Sequence, residues 1–270
     1  MNVLSLSVFD LTLASLCVIA VAALTWILRL GIAKSLLVAA VRSCVQLLLV
    51  GFVLRALFAN AGFAWVALLS VLMLLLAGRE VRARQARRFG GWRGYGIGTS
   101  SMLVSSFVVT VLALVVIIGP DPWYTPRYAI PLLGMVLGNT MTGIAVALDR
   151  LLQSAWDKRS VIEQRLLLGE TRASAIGDIA RESTRSGLIP IINSMAAAGI
   201  VSLPGMMTGQ ILAGSSPLDA VRYQILIMFL IAGGTGLGTV CAVWLASRRL
   251  FDKRHRLRLD RLETAGRSLW

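Results

Sequence analysis

The sequence contains one histidine and three cysteines, so it lacks most of the side chains that enzymes use for hydrolysis and metal catalysis. His255 lies in a basic run far from the apolar segments, which leaves no Ser-His pair and no histidine ligand for zinc within them. Cys17, Cys44 and Cys241 lie in apolar runs at unrelated spacings, and they form neither a disulfide framework nor a C-x-x-C motif. We therefore expect a chain that is not an enzyme and binds no cofactor of its own.

Lysine is also rare in this chain, and its three positions exclude a nucleotide-binding loop. Such a loop needs a lysine directly after a glycine, whereas Lys34, Lys158 and Lys253 follow Ala, Asp and Asp. If ATP drives the activity of this protein, ATP and Mg²⁺ must therefore bind to a separate partner subunit.

Charged residues make up only 15% of the 270 residues, whereas hydrophobic residues make up 57%. This much apolar surface exceeds what one soluble core buries, and it predicts an all-α membrane protein with several transmembrane helices. The net charge of +14 does not indicate a nucleic-acid partner, because no aromatic residues that stack on bases alternate with the basic ones. No basic residue precedes Arg29, so we expect the first apolar run to remain in the protein as a span.

Seven stretches are apolar enough, over roughly 20 residues each, to cross a bilayer. They are residues 11–28, 36–54, 56–78, 95–119, 129–148, 188–213 and 223–246. A tight hairpin near residues 54–62 is required between the second and third. Of the 27 basic residues, 23 fall on one side of the membrane when the connections are assigned alternately. We therefore predict the N-terminus outside and the C-terminus inside, with the basic tail, residues 247–270, on the anionic inner surface.

The connection between spans five and six, residues 149–187, is predicted to form an amphipathic cytoplasmic arm of two helical pieces. Gly169 is expected to end the first piece and Thr171 to cap the second, which is expected to end at residues 187–190, where the arm is fused directly to the sixth span. The alternative is an amphipathic helix that lies on the inner leaflet. Apolar side chains recur at helical spacing on one face of the first piece: Leu152, Ala155, Trp156, Ile162 and Leu166.

Polar residues inside spans five and six are costly in hydrocarbon, so they are candidates for function. Amide and hydroxyl oxygens lie there beside thioethers and next to Gly or Pro, which loosen a helix and expose backbone carbonyls. Such ligands suit weak, reversible binding of a metal ion on a translocation path. The alternative is hydrogen bonding between helices, with methionine filling gaps. The candidate metal ligands are Asn139, Met206, Met207 and Gln210, and the further path residues are Thr140, Met141, Asn193 and Thr208.

Glycines form three G-x-x-x-G pairs in the last three spans, at residues 134 and 138, 205 and 209, and 234 and 238. Small residues at this spacing allow helix backbones to approach closely in lipid. We therefore predict that these glycines lie at helix–helix contacts.

Three strings of the sequence resemble a known family. They are GETR at residues 169–172, GNTMTG at residues 138–143 and SLPGMMTGQILAG at residues 202–214. With them the chain resembles, over nearly its whole length, the bacterial iron-export ABC permease family, which is similar to plant membrane proteins linked to aluminium tolerance. The resemblance implies a permease subunit of the bacterial inner membrane that exports iron with a separate ATP-binding subunit and so eases metal and oxidative stress.

The arm also resembles the E-A-A-x-x-x-G segment by which ABC importer permeases dock their ATPase. Glu163 and Gly169 have the matching spacing, although Gln164 and Arg165 replace the two alanines. We expect a homodimer, because a transporter with two ATP-binding subunits needs two docking arms and this chain supplies one. The resemblance implies that ATPase coupling depends on Glu163, Gly169, Glu170, Thr171 and Arg172.

Two other functions remain open from the sequence. An ATP-independent ion-coupled carrier or channel is disfavoured by the lack of carboxylates in the middle of the spans, although a Na⁺ site of carbonyls and Thr hydroxyls would not need them. A non-transporting assembly or sensor subunit would tolerate Ala or Leu at the four candidate metal ligands without a change in cellular metal content.

Overall fold

The computed structural model describes residues 7–59, 62–252 and 254–264, and these residues are predominantly helical. A π-helical segment, Leu103–Phe107, joins α4 to α5, and a second one, Ala113–Ile118, continues α5, so these elements form one continuous helical span. A 3₁₀ turn forms at Leu259–Arg261. The all-α membrane fold predicted from composition is confirmed. The helices are α1 Val8–Ile27, α2 Ala33–Ala59, α3 Phe63–Ala83, α4 Gly91–Met102, α5 Val108–Leu112, α6 Pro126–Asp157, α7 Arg159–Leu167, α8 Arg172–Ala197, α9 Gly205–Leu212 and α10 Pro217–Arg249, and the strands are β1 Arg87–Phe89 and β2 Leu262–Thr264.

The chain forms two compact units, and the first contains α1 and α2, which pack against each other. Ser7 caps α1, because its hydroxyl oxygen accepts from the backbone N–H of Asp10 and the Asp10 carboxylate accepts from the backbone N–H of Ser7. The predicted boundary between spans two and three was wrong. The apolar run continues on both sides of Arg55, so α2 extends through it to Ala59. Residues 60–61 of the predicted hairpin lie outside the described residues.

The second unit is built around α6, α8 and α10, with α3 and α4 packed against α6. Its core contains Leu151 and Leu152 of α6, Ile176 of α8 and Leu250 after α10, all of which are buried. Strands β1 and β2 pair antiparallel, and this pairing ties the connection after α3 to the C-terminal tail. The last residues of the predicted basic tail, residues 265–270, and Lys253 lie outside the described residues.

Helices α6 and α10 run in the same direction. A Cβ atom built on Gly234 would lie 2.7 Å from Cγ1 of Val136, and one built on Gly238 would lie 3.3 Å from Cδ1 of Ile144. Residue numbers therefore increase in the same direction along both helices. The chain that leaves α6 must return across the same layer before α10 begins, and α8 followed by α9 makes this return.

Six helices among the described residues are long and apolar enough to cross a membrane. The predicted sixth span, residues 188–213, is not one of them, because it is not a single helix. α8 ends at Ala197, and a turn that contains Gly199, with φ of +82°, precedes α9. Because α6 and α10 are parallel, α8 and α9 return the chain between them, whereas a seventh crossing of the membrane and the orientation in it stay predictions. The six helices are Phe9–Ile27, Ala33–Phe58, Phe63–Ala83, Gly94–Ile118, Pro126–Asp157 and Pro217–Arg249.

The arm differs from its prediction at both ends. α6 continues past residue 148 to Asp157 without a break, and α7 follows directly after Lys158. The predicted helix end at residues 187–190 was wrong, because α8 runs through Gly187 and Pro190 to Ala197 and so joins the arm directly to the segment that follows. The arm is therefore a short helix joined to two long ones.

The apolar face predicted for the arm packs inside the protein. Leu152, Ala155 and Ile162 are buried, so this face is not available to a lipid leaflet. Gly169, with φ of +89°, follows α7, and Thr171 caps α8 by accepting the backbone N–H of Ser174 on its hydroxyl oxygen. The predicted end and cap are thus confirmed, and the alternative of a helix lying flat on the membrane is not.

Candidate translocation site

Six buried hydroxyl groups in the second unit have no hydrogen-bond partner in the described structure, and we call them the hydroxyl seam. Other buried hydroxyls, such as those of Ser101 and Ser183, donate to the carbonyl four residues earlier in their own helix. The hydroxyls of the seam lack such a bond. Each buried hydroxyl without a partner lowers the stability of the fold by about 1–3 kcal/mol. Its members are at most 5% exposed: Ser105, Ser106, Thr110, Thr140, Thr235 and Thr239.

Glycines bring the helices of the seam into close contact. A Cβ atom on Gly238 would lie 2.6 Å from Cγ2 of Thr140 and 2.7 Å from Oγ of Ser105, so both side chains lie directly against α10. One turn along α6, a Cβ atom on Gly143 would lie 3.0 Å from Oγ1 of Thr239. The packing role predicted for the glycines at 234 and 238 is confirmed.

Helix α8 reaches the seam through Gly187. A Cβ atom on this residue would lie 2.6 Å from the carbonyl oxygen of Gly143 and 2.9 Å from Cγ2 of Thr239. The backbones of α6 and α8 thus touch beside α10. Because α8 is continuous from its cap at Thr171 to this contact, one helix joins the arm to the seam.

The packing role predicted for the other glycine pairs is mostly wrong. A Cβ atom on Gly138, Gly205 or Gly209 would have no neighbouring heavy atom within 4 Å. Gly134 has one close neighbour, Cε of Met73 at 3.2 Å from the built Cβ. Spacing alone therefore did not identify which glycines lie at helix contacts.

Of the seam, sequence reasoning identified only Thr140. A signal for two others was present, because Thr235 and Thr239 repeat the four-residue spacing of the glycines that precede them. Ser105 and Ser106 interrupt an apolar run, which is a weaker signal. They lie in a π-helical segment, a rare geometry that is frequent at functional sites and that no residue pattern predicted here.

A pocket of 220 Å³ lies at the end of the unit where α6 begins, and we call it the Gln210 pocket. Oε1 of Gln210 is buried and has no hydrogen-bond partner among the described residues. The thioethers are soft ligands and the amide oxygen is a hard one, and all of them are neutral and bind a metal ion weakly. The polar and thioether part of the lining comes from α6, α9 and α10: Arg127, Tyr128, Met135, Met206, Gln210 and Tyr223.

Two of the four candidate metal ligands, Met206 and Gln210, line this pocket together. Asn139 lies on an exposed face of α6, where its side-chain amide donates to the carbonyl oxygen of Met135 at 2.9 Å. Met207 is partly exposed and is not among the lining residues. Within the described ranges no three His, Cys, Asp or Glu side chains lie close enough to hold a metal ion.

The four predicted path residues lie in different places. Thr140 belongs to the seam, and Met141 packs against the hydrophobic core. Asn193 is exposed on α8. The hydroxyl of Thr208 donates to the carbonyl oxygen of Gly205 at 2.9 Å, within its own short helix.

A polar surface follows one side of α6 and continues onto α8, and we call it the Asn139 face. A pocket of 400 Å³ connects the two helices there, lined by Thr142 and Asp149 of α6 and by Ser186 of α8. An exposed amide on a transmembrane helix is costly in hydrocarbon. The face consists of Asn139, Thr142, Asp149, Gln153, Ser186 and Asn193.

The tip of the arm exposes two leucines. The side chains of Leu167 and Leu168 are 87% and 84% exposed, just before the turn at Gly169. Beyond the turn, the Glu170 carboxylate accepts from the hydroxyl of Ser174 at 2.8 Å. The predicted coupling residues Glu163, Gly169, Glu170 and Thr171 are exposed around this tip, and Arg172 begins α8.

An ion pair holds α7 against α8. Nη1 of Arg165 lies 2.9 Å from Oδ2 of Asp178, and Arg181 also donates to this carboxylate. The hydrogen bond from Arg165, followed by that from Arg181, holds the pKa of Asp178 below its ordinary value. The tip is thereby fixed to the first turns of α8.

Comparison with known proteins identifies the family. The model of the uncharacterised protein family UPF0014 matches residues 8–251, which include the seam, the Gln210 pocket and the arm. This chain belongs to the UPF0014 family. No solved structure matches it.

Three relatives cover most of this UPF0014 protein. The UPF0014 membrane protein slr1647 of Synechocystis sp. is 39% identical over 241 residues, covering 88% of this chain and 91% of that protein. The Probable iron export permease protein FetB of Escherichia coli is 31% identical over 240 residues, covering 87% and 88%. The Protein ALUMINUM SENSITIVE 3 of Arabidopsis thaliana is 31% identical over 218 residues, covering 80% and 77%. The resemblance noted from the three strings is confirmed, and this UPF0014 protein is a multi-pass membrane protein.

Proposed function

We propose that this UPF0014 protein is the permease subunit of an ABC-type transporter that exports iron or a related metal across the bacterial inner membrane. ATP hydrolysis takes place in a separate ATP-binding subunit, which holds the ATP and Mg²⁺. The Escherichia coli relative named as a probable iron export permease supports both the permease role and the substrate. The structural observation that carries the proposal is the single helix α8, which joins the exposed arm to the hydroxyl seam.

The ATP-binding subunit docks on the tip of the arm. Leu167 and Leu168 are almost fully exposed there, and exposed apolar side chains rimmed by polar ones are typical of a binding surface. Glu163 and Glu170 supply the polar rim. The two leucines fill an apolar groove of the partner, and the burial of their side chains supplies the apolar part of the contact.

Movement of the arm opens the seam. At Gly187 the backbones of α6 and α8 touch, with no side chain between them to absorb a displacement. A shift of α8 therefore moves α6 and α10 against each other, as packed helices do in shear motions. The hydroxyls of the seam, which have no partner in the closed packing, then bind water or the metal ion.

The charge of the Gln210 pocket indicates whether the metal is transported as a bare ion or as a complex. The Arg127 guanidinium is part of the lining, and no carboxylate of the described residues is. A bare divalent cation is repelled by this charge, whereas a metal that carries anionic ligands is attracted. We therefore propose that the pocket prefers iron in a complex with an anionic ligand.

The Asn139 face forms the contact between two copies of the permease. A polar face exposed to lipid is unfavourable, and pairing with the same face of a second copy satisfies the amides of Asn139 and Asn193. The arms of the two copies then supply the two docking sites that a pair of ATPases requires.

The test is ATP-driven ⁵⁵Fe movement into inverted vesicles that contain this chain and its candidate ATPase, with Fe²⁺ and ferric citrate compared as cargo. We expect transport to need ATP and to fall in Leu167→Glu/Leu168→Glu, with ATPase activity no longer stimulated by the permease. Met206→Leu is expected to reduce transport, and the adjacent Met207→Leu, which does not line the pocket, serves as its matched control.

Each part of the proposal can fail separately. Metal movement without ATP would indicate a carrier or channel. ATPase activity that depends on this chain without any metal movement would retain the ABC pairing and reject the metal. If Met206 and Gln210, the two candidate ligands that line the pocket, tolerate Ala or Leu with no change in cellular metal, a non-transporting assembly or sensor subunit is favoured.

A further inference from the structure

A groove of 560 Å³ lies between α8 and α10, and the transport proposal does not use it. We call it the Arg181 groove. Its walls are the first turns of α8 and the last turns of α10. Among its lining residues are Arg172, Ile176, Arg181, Val240, Trp244 and Arg248.

The two ends of the groove differ in chemistry. At one end Val240 and Trp244 are about half exposed and offer an apolar surface. At the other end Arg181 and Arg248 supply guanidinium groups, and the hydroxyl of Ser247 is buried without a hydrogen-bond partner among the described residues. The guanidinium of Arg248 lies 3.8 Å from the centre of a Trp244 ring, so cation and aromatic group meet where the two ends join.

The groove extends across the boundary between hydrocarbon and headgroups. The apolar helix that contains Trp244 ends at Arg249, and Val240 lies about 12 Å deeper along the axis than Arg248, at 1.5 Å per residue. Tryptophan and arginine at the end of a span are typical of the membrane interface. A water-soluble partner therefore reaches only the arginine end, whereas a lipid reaches both.

The groove also faces away from the surface proposed for the second copy. Arg181 and Ser186 are five residues apart on α8, which places their side chains about 140° apart around the helix. Ser186 belongs to the Asn139 face, so a dimer formed through that face leaves the groove open to lipid.

We infer that the Arg181 groove binds an anionic phospholipid. The phosphate lies between Arg181 and Arg248, with the Ser247 hydroxyl as a further donor, and one acyl chain lies along Val240 and Trp244. Asp178 pairs with Arg181, but a guanidinium has five N–H donors and can bind a carboxylate and a phosphate together. Basic pockets between transmembrane helices at the inner surface suit such headgroups.

The test is lipid titration by native mass spectrometry of the full chain in detergent, with phosphatidylglycerol compared with phosphatidylcholine. We expect the chain to retain phosphatidylglycerol, and Arg181→Gln/Arg248→Gln to weaken that binding about tenfold while phosphatidylcholine binding stays the same. The matched control is Arg254→Gln/Arg256→Gln, which removes two charges from the tail after α10 and is expected to bind as the unchanged chain does.

Two results would overturn the inference. One is equal binding of both lipids by the unchanged chain, which would mean that the groove binds acyl chains and does not distinguish the charge of the headgroup. The other is unchanged phosphatidylglycerol binding in the double variant. The single variant Arg181→Gln keeps the test valid if the double variant does not fold, because the Arg181 side chain is 78% exposed and its loss leaves the core intact.

Discussion

Buried hydroxyls in transmembrane helices usually donate to their own backbone, and the six of the seam do not. Thr140 and Ser105 lie against Gly238, where the missing side chain of the glycine makes room for them. Each hydroxyl therefore gives up a hydrogen bond in this packing. This cost is expected at a site where the polar groups serve a second state of the protein.

The first prediction separates that role from simple packing. Thr140→Val keeps the shape of the side chain and removes a hydroxyl that bonds to nothing. We expect thermal stability in detergent to be unchanged or raised by up to about 1 kcal/mol, and metal transport to fall. The control Ser183→Ala removes a hydroxyl that donates to the carbonyl of Ile179, and transport should persist. A stability loss above about 1 kcal/mol in Thr140→Val would show that its hydroxyl is bonded.

The second prediction concerns the backbone contact at Gly187. In Gly187→Ala the new methyl meets the carbonyl oxygen of Gly143 at 2.6 Å, and neither backbone has room to move. We expect a loss of about 1–3 kcal/mol, measured as a lower melting temperature in detergent. Gly177→Ala on the same helix is the control, because its methyl would meet only the flexible end of Arg181, at 3.6 Å. Equal stability of the two variants would contradict the contact.

At the scale of elements, α8 is the part whose shape differs most from expectation. Its Thr171 cap was predictable, but its continuation through Gly187 and Pro190 was not. Proline removes one backbone donor, and glycine favours the unfolded chain, so both predict an end to the helix. The packing of Gly187 against α6 is the interaction that favours the helical path there.

The third prediction concerns the attachment of α7 to α8. The pKa of Asp178 is lowered, so the ion pair contributes at pH values above the ordinary aspartate value of 3.8 and is lost as pH falls through the lower value in the folded protein. Asp178→Asn removes the pair at every pH. We expect faster tryptic cleavage at Arg159 and Arg165 at neutral pH, and weaker stimulation of the partner ATPase. Asp219→Asn, which breaks an exposed pair at the start of α10, is the control and should leave cleavage unchanged.

At the scale of the whole molecule, the direction of α6 and α10 decides the path of the chain. Because both run the same way, the segment between them must return in the opposite direction, although α8 contains five charged residues. A search for long apolar helices therefore does not find this returning segment. Six helices among the described residues are long and apolar enough to span a membrane. The packing of the second unit also requires the chain to return through α8 and α9.

The fourth prediction tests this path together with the orientation. After replacement of Cys17, Cys44 and Cys241 by serine, single cysteines are introduced as Ser215→Cys and Leu168→Cys, both at exposed positions. A membrane-impermeant maleimide is expected to label the first in intact spheroplasts and the second only in inverted vesicles. Labelling of both from the same side would contradict the return crossing, and a reversed pattern would contradict the predicted orientation.

The sequence by itself determined the membrane class, most of the spans and the cap at Thr171. These properties depend on composition and on neighbours within one or two turns, because transfer into lipid and helix capping are local. The tertiary structure alone decided that Met206 lines the Gln210 pocket while Met207 does not, that Gly187 rather than Gly138 meets a neighbouring helix, and that Ser105 and Thr140 both lie against Gly238. Each of these depends on how far a helix is rotated about its own axis. That rotation is set by packing between helices that are distant in sequence, and residue spacing does not encode it.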